Sequence, residues 1–83
     1  MKVLYFAWLR ERIGKSEETV DPPREVQTVG QLAQWLASRG DEYAHALGDP
    51  KLVRVAIDRK HVKPDAAIAG AREIAFFPPM TGG

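Results

Sequence analysis

Residues Arg72 to Phe77 read REIAFF, and Pro78-Pro79 follow at once. A short run rich in aromatic and β-branched residues, stopped by proline, predicts a strand that ends at Phe77. Side chains alternate along a strand, so Ile74 and Phe76 face one way and Ala75 and Phe77 the other. The two large aromatics therefore cannot enter the same core. Because Ile74 accompanies Phe76, those two are assigned inward, against Leu32, Trp35 and Leu36, and Phe77 is expected to be exposed. The pairing of this strand decides the fold. If it lies beside the first strand of the chain, the two are parallel and central, and the residues after Phe77 leave from the middle of one sheet edge.

That first strand is read from KVLYFAW, residues 2–8, which is apolar on both faces. Val3, Tyr5 and Ala7 are expected inward, with Phe6 outward beside Phe77. LRERIG then suits a short helical turn closed by Gly14. Glu17 to Val20 reads as a second strand stopped by Asp21-Pro22-Pro23, with Glu17, Glu18 and Asp21 as a charged strand edge. The clearest helix follows. Thr28 caps it, Gln31 completes a capping box, Val29, Leu32, Trp35 and Leu36 share a face, and Gly40 supplies the stop. Asp41 heads a shorter helix through Leu47. LVRVAI, residues 52–57, is a third strand, Asp58-Arg59-Lys60 a turn, and His61-Val62 a short fourth strand. Pro64 to Gly70 is an irregular connection. This order predicts an α+β roll, a mixed sheet around one main helix, as one domain spanning residues 1–83 with a tail at 78–83.

A chain of 83 residues builds one small core. It has no cysteine, which excludes disulfides, thiolate metal ligands and a cysteine nucleophile. Twelve Lys and Arg against eleven Asp and Glu leave a net charge of +1, too balanced and too scattered to indicate nucleic acid or a membrane surface. No apolar run approaches the roughly 20 residues of a membrane span, and MKVLYFAWLRER lacks a small-residue cleavage site, so a cytoplasmic protein is expected. His45 and His61 have no ligand-like partners at metal spacing, and no metal site is expected. Ser16 and Ser38 lack a nearby base in any catalytic pattern. No side chain stands out as catalytic.

The tail is different. Pro78-Pro79 stiffen it at about 3.1 Å per residue, so residues 78–83 can reach roughly 20 Å. Gly82 and Gly83 lack Cβ atoms and can enter a channel too narrow for other residues. The group such a channel receives is the α-carboxylate of Gly83, which is ionised at neutral pH and a poor electrophile. Adenylation by ATP would make it a mixed anhydride. A sulfur nucleophile could then leave a thiocarboxylate, or a lysine or thiol could form a conjugate.

KVLYFAWLRERIG, the closing REIAFFPPMTGG and the length between them resemble the molybdopterin synthase small subunits, sulfur carriers of ubiquitin-like β-grasp fold. The most specific element is FFPP-x-TGG. The resemblance implies that Gly83 is adenylated by an activating enzyme that uses ATP and is converted to a thiocarboxylate through a sulfur donor system. It implies that Pro78, Pro79, Met80, Thr81 and Gly82 insert into a large subunit, two small subunits on a dimer of large ones forming a heterotetramer. Sulfur then passes to cyclic pyranopterin monophosphate in molybdenum cofactor biosynthesis. The catalytic side chains are expected on the large subunit, with no cofactor held permanently by this chain. Met80 departs from the family, which often has a β-branched residue there. Phe6 and Phe77, with Arg10 at their edge, are the expected docking surface. Carriers for thiamine synthesis, tRNA thiolation or protein conjugation, and a module whose tail docks without chemistry, are the alternative readings.

Overall fold

A computed structural model describes residues 1–79. Its elements in chain order are β1 (Lys2–Tyr5), α1 (Ala7–Ile13), β2 (Glu17–Thr19), α2 (Val29–Ala37), α3 (Asp41–Leu47), a 3-10 turn (Pro50–Leu52), β3 (Arg54–Ile57), β4 (Lys60–Val62) and β5 (Glu73–Phe77). The five strands form one mixed sheet in the order β2-β1-β5-β3-β4. β1 and β5 are its central parallel pair, with Val3 opposite Ile74 and Tyr5 opposite Phe76. The other pairings are antiparallel. This is the α+β roll expected from the order of elements, in the β-grasp arrangement that the family resemblance implied.

The inner face of the sheet carries Val3, Tyr5, Val55, Ile74 and Phe76 against Val29, Leu32 and Leu36 of α2. Phe76 is 1% exposed, which places Ile74 and Phe76 inside as alternation required. The Tyr5 ring stacks on Phe76 at 6.3 Å and meets Tyr43 of α3 edge-on at 6.4 Å. Leu9 and Ile13 of α1, together with Tyr43, Ala46 and Leu47 of α3, extend the core beyond the one main helix.

β1 stops at Tyr5, three residues earlier than KVLYFAW suggested. Phe6 keeps an extended backbone as the N-cap of α1, and Ala7 turns into the left-handed region at φ 53°. Leu9 and Ile13, four apart, then bury one face of a helix. Gly14, at φ 88°, donates its N–H to Arg10 O at 2.8 Å and closes it. Ala7 is consequently exposed rather than inward. Trp8 is half-buried, with the Arg12 guanidinium 4.8 Å above its ring.

α2 begins as its capping box requires. Gln31 N–H donates to Thr28 Oγ1 at 3.1 Å, and Thr28 N–H donates back to Gln31 Oε1 at 3.2 Å. The connection after β4 covers the same helix end, since Val29 N–H donates to Ala66 O and Gly30 N–H to Pro64 O. A Cβ at Gly30 would lie 3.1 Å from Pro64 O, so the connection passes close to the helix backbone here. The helix ends at Ala37, capped by Ser38, ahead of Gly40, which instead precedes α3. Trp35 is half-buried at the rim of the core, because Val29, Leu32 and Leu36 fill the helix face that meets the sheet. β3 starts at Arg54 rather than Leu52. Pro50, with no N–H and a fixed φ, heads the 3-10 turn, and Leu52 is left 47% exposed. Asp58 and Arg59, both at positive φ, make the tight turn into β4.

Candidate functional site

The outer face of the sheet at the end of β5 collects the residues that alternation turned outward. Register places Lys2 and Leu4 of β1 beside Glu73 and Ala75 of β5, so Phe77 is the next outward residue. Phe6 N–H donates to Phe76 O at 3.1 Å, which carries the parallel ladder one step past β1 and sets Phe6 beside Phe77 at the same edge. Arg54 of β3 is directly opposite Phe77, and Ala56 opposite Ala75. Directly opposed residues point to one face. Phe6, Phe77 and Arg54 therefore form one outward row, with Leu4, Ala75 and Ala56 as the row behind.

Phe6 is 45% exposed, as expected of an outward aromatic. Phe77 is half-buried rather than exposed. It belongs to a central strand with neighbours on both sides, and the His61 ring of β4 lies 5.1 Å away, tilted by 50°. Arg10 lies one helical turn past Phe6, its N–H reaching Phe6 O at 3.4 Å, and it is exposed. Pro78 and Pro79 are half-buried as they leave β5. Met80, Thr81, Gly82 and Gly83 lie outside the described residues.

Sequence reasoning passed over Arg54, and it placed His61 in the short fourth strand without setting it beside Phe77. The alternation of Arg54-Val55-Ala56-Ile57 marks Arg54 as outward, but its position opposite Phe77 depends on register between strands that are distant in the chain. Glu18 does lie on an edge strand, β2, as expected, but its side chain has a role that sequence reasoning did not foresee. The carboxylate turns inward, and Oε2 accepts hydrogen bonds from the Tyr5 and Tyr43 hydroxyls, each at 2.7 Å. Arg39 Nη1 lies 3.2 Å from Oε1, and Lys15 Nζ 3.7 Å from it. Partial burial by itself would raise the Glu18 carboxyl, but the two phenol hydrogen bonds and the two cations outweigh it and hold the carboxyl below its usual range. Burial, and then the bond to Glu18, push the Tyr5 phenol far up. This network ties β2 to α3 behind β1 and holds Tyr5 next to the Phe6 edge.

Among the described residues no three His, Asp or Glu side chains gather to hold a metal ion. No described helix is long and apolar enough to cross a membrane. An apolar groove of about 480 Å³ runs between α2 and β3, past Ala33, Gln34, Ala37, Val53 and Val55, and has no ionisable side chain in its walls. The described body thus places an exposed Phe6 and a half-buried Phe77 at the edge from which Pro78 leaves β5.

The ThiS family model matches residues 3–83. The molybdopterin synthase sulfur carrier subunit of Escherichia coli is 39% identical over 83 residues, covering 100% of this chain and 99% of the relative. The subunit of the same name from Haemophilus influenzae is likewise 39% identical, with the same coverage. Among solved structures, SAMP1 from Haloferax volcanii superimposes with a TM-score of 0.64 at 24% identity, covering 100% of this chain and 98% of that one, and shares the fold. With an aromatic edge on a central parallel strand pair, and a family match that runs to the last residue, the chain belongs to the ThiS family.

Proposed function

We propose that this protein is the sulfur carrier subunit of molybdopterin synthase and that Gly83 is its chemical site. The observation that carries the reading is the origin of the tail. Pro78 leaves from β5, a central strand hydrogen-bonded on both sides, immediately beside the Phe6 and Phe77 edge. A rigid strand fixes where the tail starts, and an apolar edge next to it gives a partner something to grip while residues 78–83 enter that partner. The full-length similarity to two subunits of that name supports the same assignment.

The chemistry proceeds in three steps. The Gly83 carboxylate attacks the α-phosphorus of ATP on an activating enzyme and releases pyrophosphate. A sulfur nucleophile from a donor system displaces AMP and leaves the thiocarboxylate. The large subunit binds the body through Phe6, Phe77 and Arg10, takes in Pro78 to Gly82, and presents the thiocarboxylate to cyclic pyranopterin monophosphate. Gly82 and Gly83 suit a narrow channel because they carry no Cβ. The large subunit supplies the acid and base groups, and two carriers on a dimer of large subunits make the heterotetramer.

Intact-mass measurement after incubation with ATP, the activating enzyme and a sulfur donor tests the reading. The expected product has one terminal oxygen replaced by sulfur and is consumed on adding the large subunit and the pterin. An unchanged mass would refute it, and a product joined to lysine would assign conjugation instead.

A further inference from the structure

The outer row Phe6, Phe77 and Arg54 divides the charges of this sheet face unevenly. On the far rows two of the acids are already engaged, while the Glu73 carboxylate makes no ion pair among the described residues. Glu17 pairs with Lys2 at 3.3 Å, and Asp58 Oδ1 accepts the N–H groups of Arg72 at 3.1 Å and Glu73 at 2.9 Å. At the tail end no acid adjoins the aromatics in the strand register. Arg54 is exposed opposite Phe77, and among the described residues neither Arg54 nor Arg10 makes an ion pair. The exposed His61 ring packs beside Phe77 on the β4 side at 5.1 Å.

A partner that buries Phe6 and Phe77 must cover Arg54 as well, because a directly opposed pair in an antiparallel ladder stands with Cβ atoms only about 5 Å apart. Taking a guanidinium out of water without an acceptor is strongly unfavourable, whereas a carboxylate can meet its planar fork with two hydrogen bonds. We propose that this face docks on a protein surface with an apolar centre and at least one carboxylate placed to receive Arg54. The inference rests on the reading above, in which that partner is the large subunit, and adds the chemistry of the partner's surface. It makes Arg54 a specificity-determining residue, since a carrier-binding surface with a basic rim would repel it.

Calorimetric titration of the full chain with the large subunit from the same organism, at low and at raised salt, provides the test. Wild-type affinity should fall as salt rises. Arg54→Gln should weaken binding by roughly tenfold and flatten the salt dependence, Arg54→Glu by roughly a hundredfold, and Arg54→Lys by only a few-fold. Melting temperatures should stay close to wild type because the side chain is exposed. If Arg54→Glu binds as tightly as wild type, the inference is overturned while the sulfur-carrier reading stands. If the wild-type chain does not bind the large subunit at all, that reading is overturned and this inference with it.

Discussion

Glu18 accepts the hydroxyl of Tyr43 on Oε2 at 2.7 Å across 25 residues of sequence, and the same oxygen accepts the hydroxyl of Tyr5 at 2.7 Å. One carboxylate oxygen therefore joins β2, β1 and α3. Hydrogen bonds to an ionised acceptor are stronger than neutral ones, and both phenols are buried at their ring bodies. Glu18→Gln leaves a neutral amide unable to match this arrangement, and should cost roughly 1–3 kcal/mol. Since the folded-state carboxyl titrates below its unfolded value, its contribution is complete above the ordinary glutamate range and is lost as pH falls through the lowered value. Urea denaturation across acidic pH should show that loss in wild type and a flatter profile in Glu18→Gln.

Phe76 and Phe77 are adjacent in sequence and opposite in role. Phe76 is 1% exposed among Tyr5, Val55 and the α2 face, so Phe76→Ala should cost roughly 3–5 kcal/mol of stability. Phe77 is half-buried against His61, and Phe77→Ala should cost about 1 kcal/mol while weakening large-subunit binding by about 1–3 kcal/mol. Denaturant melts and titrations of the two variants check the ranking. The reverse order would mean that the two sheet faces had been exchanged.

Ala7 opens α1 with a φ of 53°, a conformation that costs an L-residue roughly 1–2 kcal/mol. Glycine has no such penalty but loses more backbone freedom on folding, about 0.5–1 kcal/mol relative to alanine. Ala7→Gly should therefore be neutral or stabilising by up to about 1 kcal/mol. Ala7→Val, with a β-branched side chain at positive φ, should be destabilising. Thermal melts of both variants decide it, and a marked loss on Ala7→Gly would contradict the strained turn.

Thr28 and Gln31 exchange hydrogen bonds at the head of α2, and Gln31 Oε1 also accepts Gln27 N–H at 2.7 Å. Thr28→Ala should cost about 1 kcal/mol, and Thr28→Ser much less, because serine keeps the capping oxygen. Equilibrium unfolding of the two variants provides the check, and an equal loss in both would assign the effect to the Thr28 methyl group.

Features set by neighbours in the chain were legible in the sequence. The capping box needs only Thr28 and Gln31, and the end of β5 needs only Pro78. The inward pair Ile74 and Phe76 follows from alternation, and the outward pairing of Phe6 with Phe77 follows once β1 and β5 are set side by side. The Gly83 expectation likewise rests on residue type and a family resemblance, at a position outside the described residues. Tertiary structure decided the rest. KVLYFAW fits a strand throughout, yet the chain turns at Ala7 because Leu9 and Ile13 gain more by packing as a helix face against the core. Glu18 reads as one more charge on an edge strand, and its inward carboxylate is decided only when β2 pairs with β1 and α3 delivers Tyr43 from 25 positions away. Arg54 becomes the neighbour of Phe77 only through the β3–β5 register. Local propensity acts over a few bonds, whereas register and the pairing of buried polar groups are fixed by hydrogen bonds between segments that meet only when the core closes.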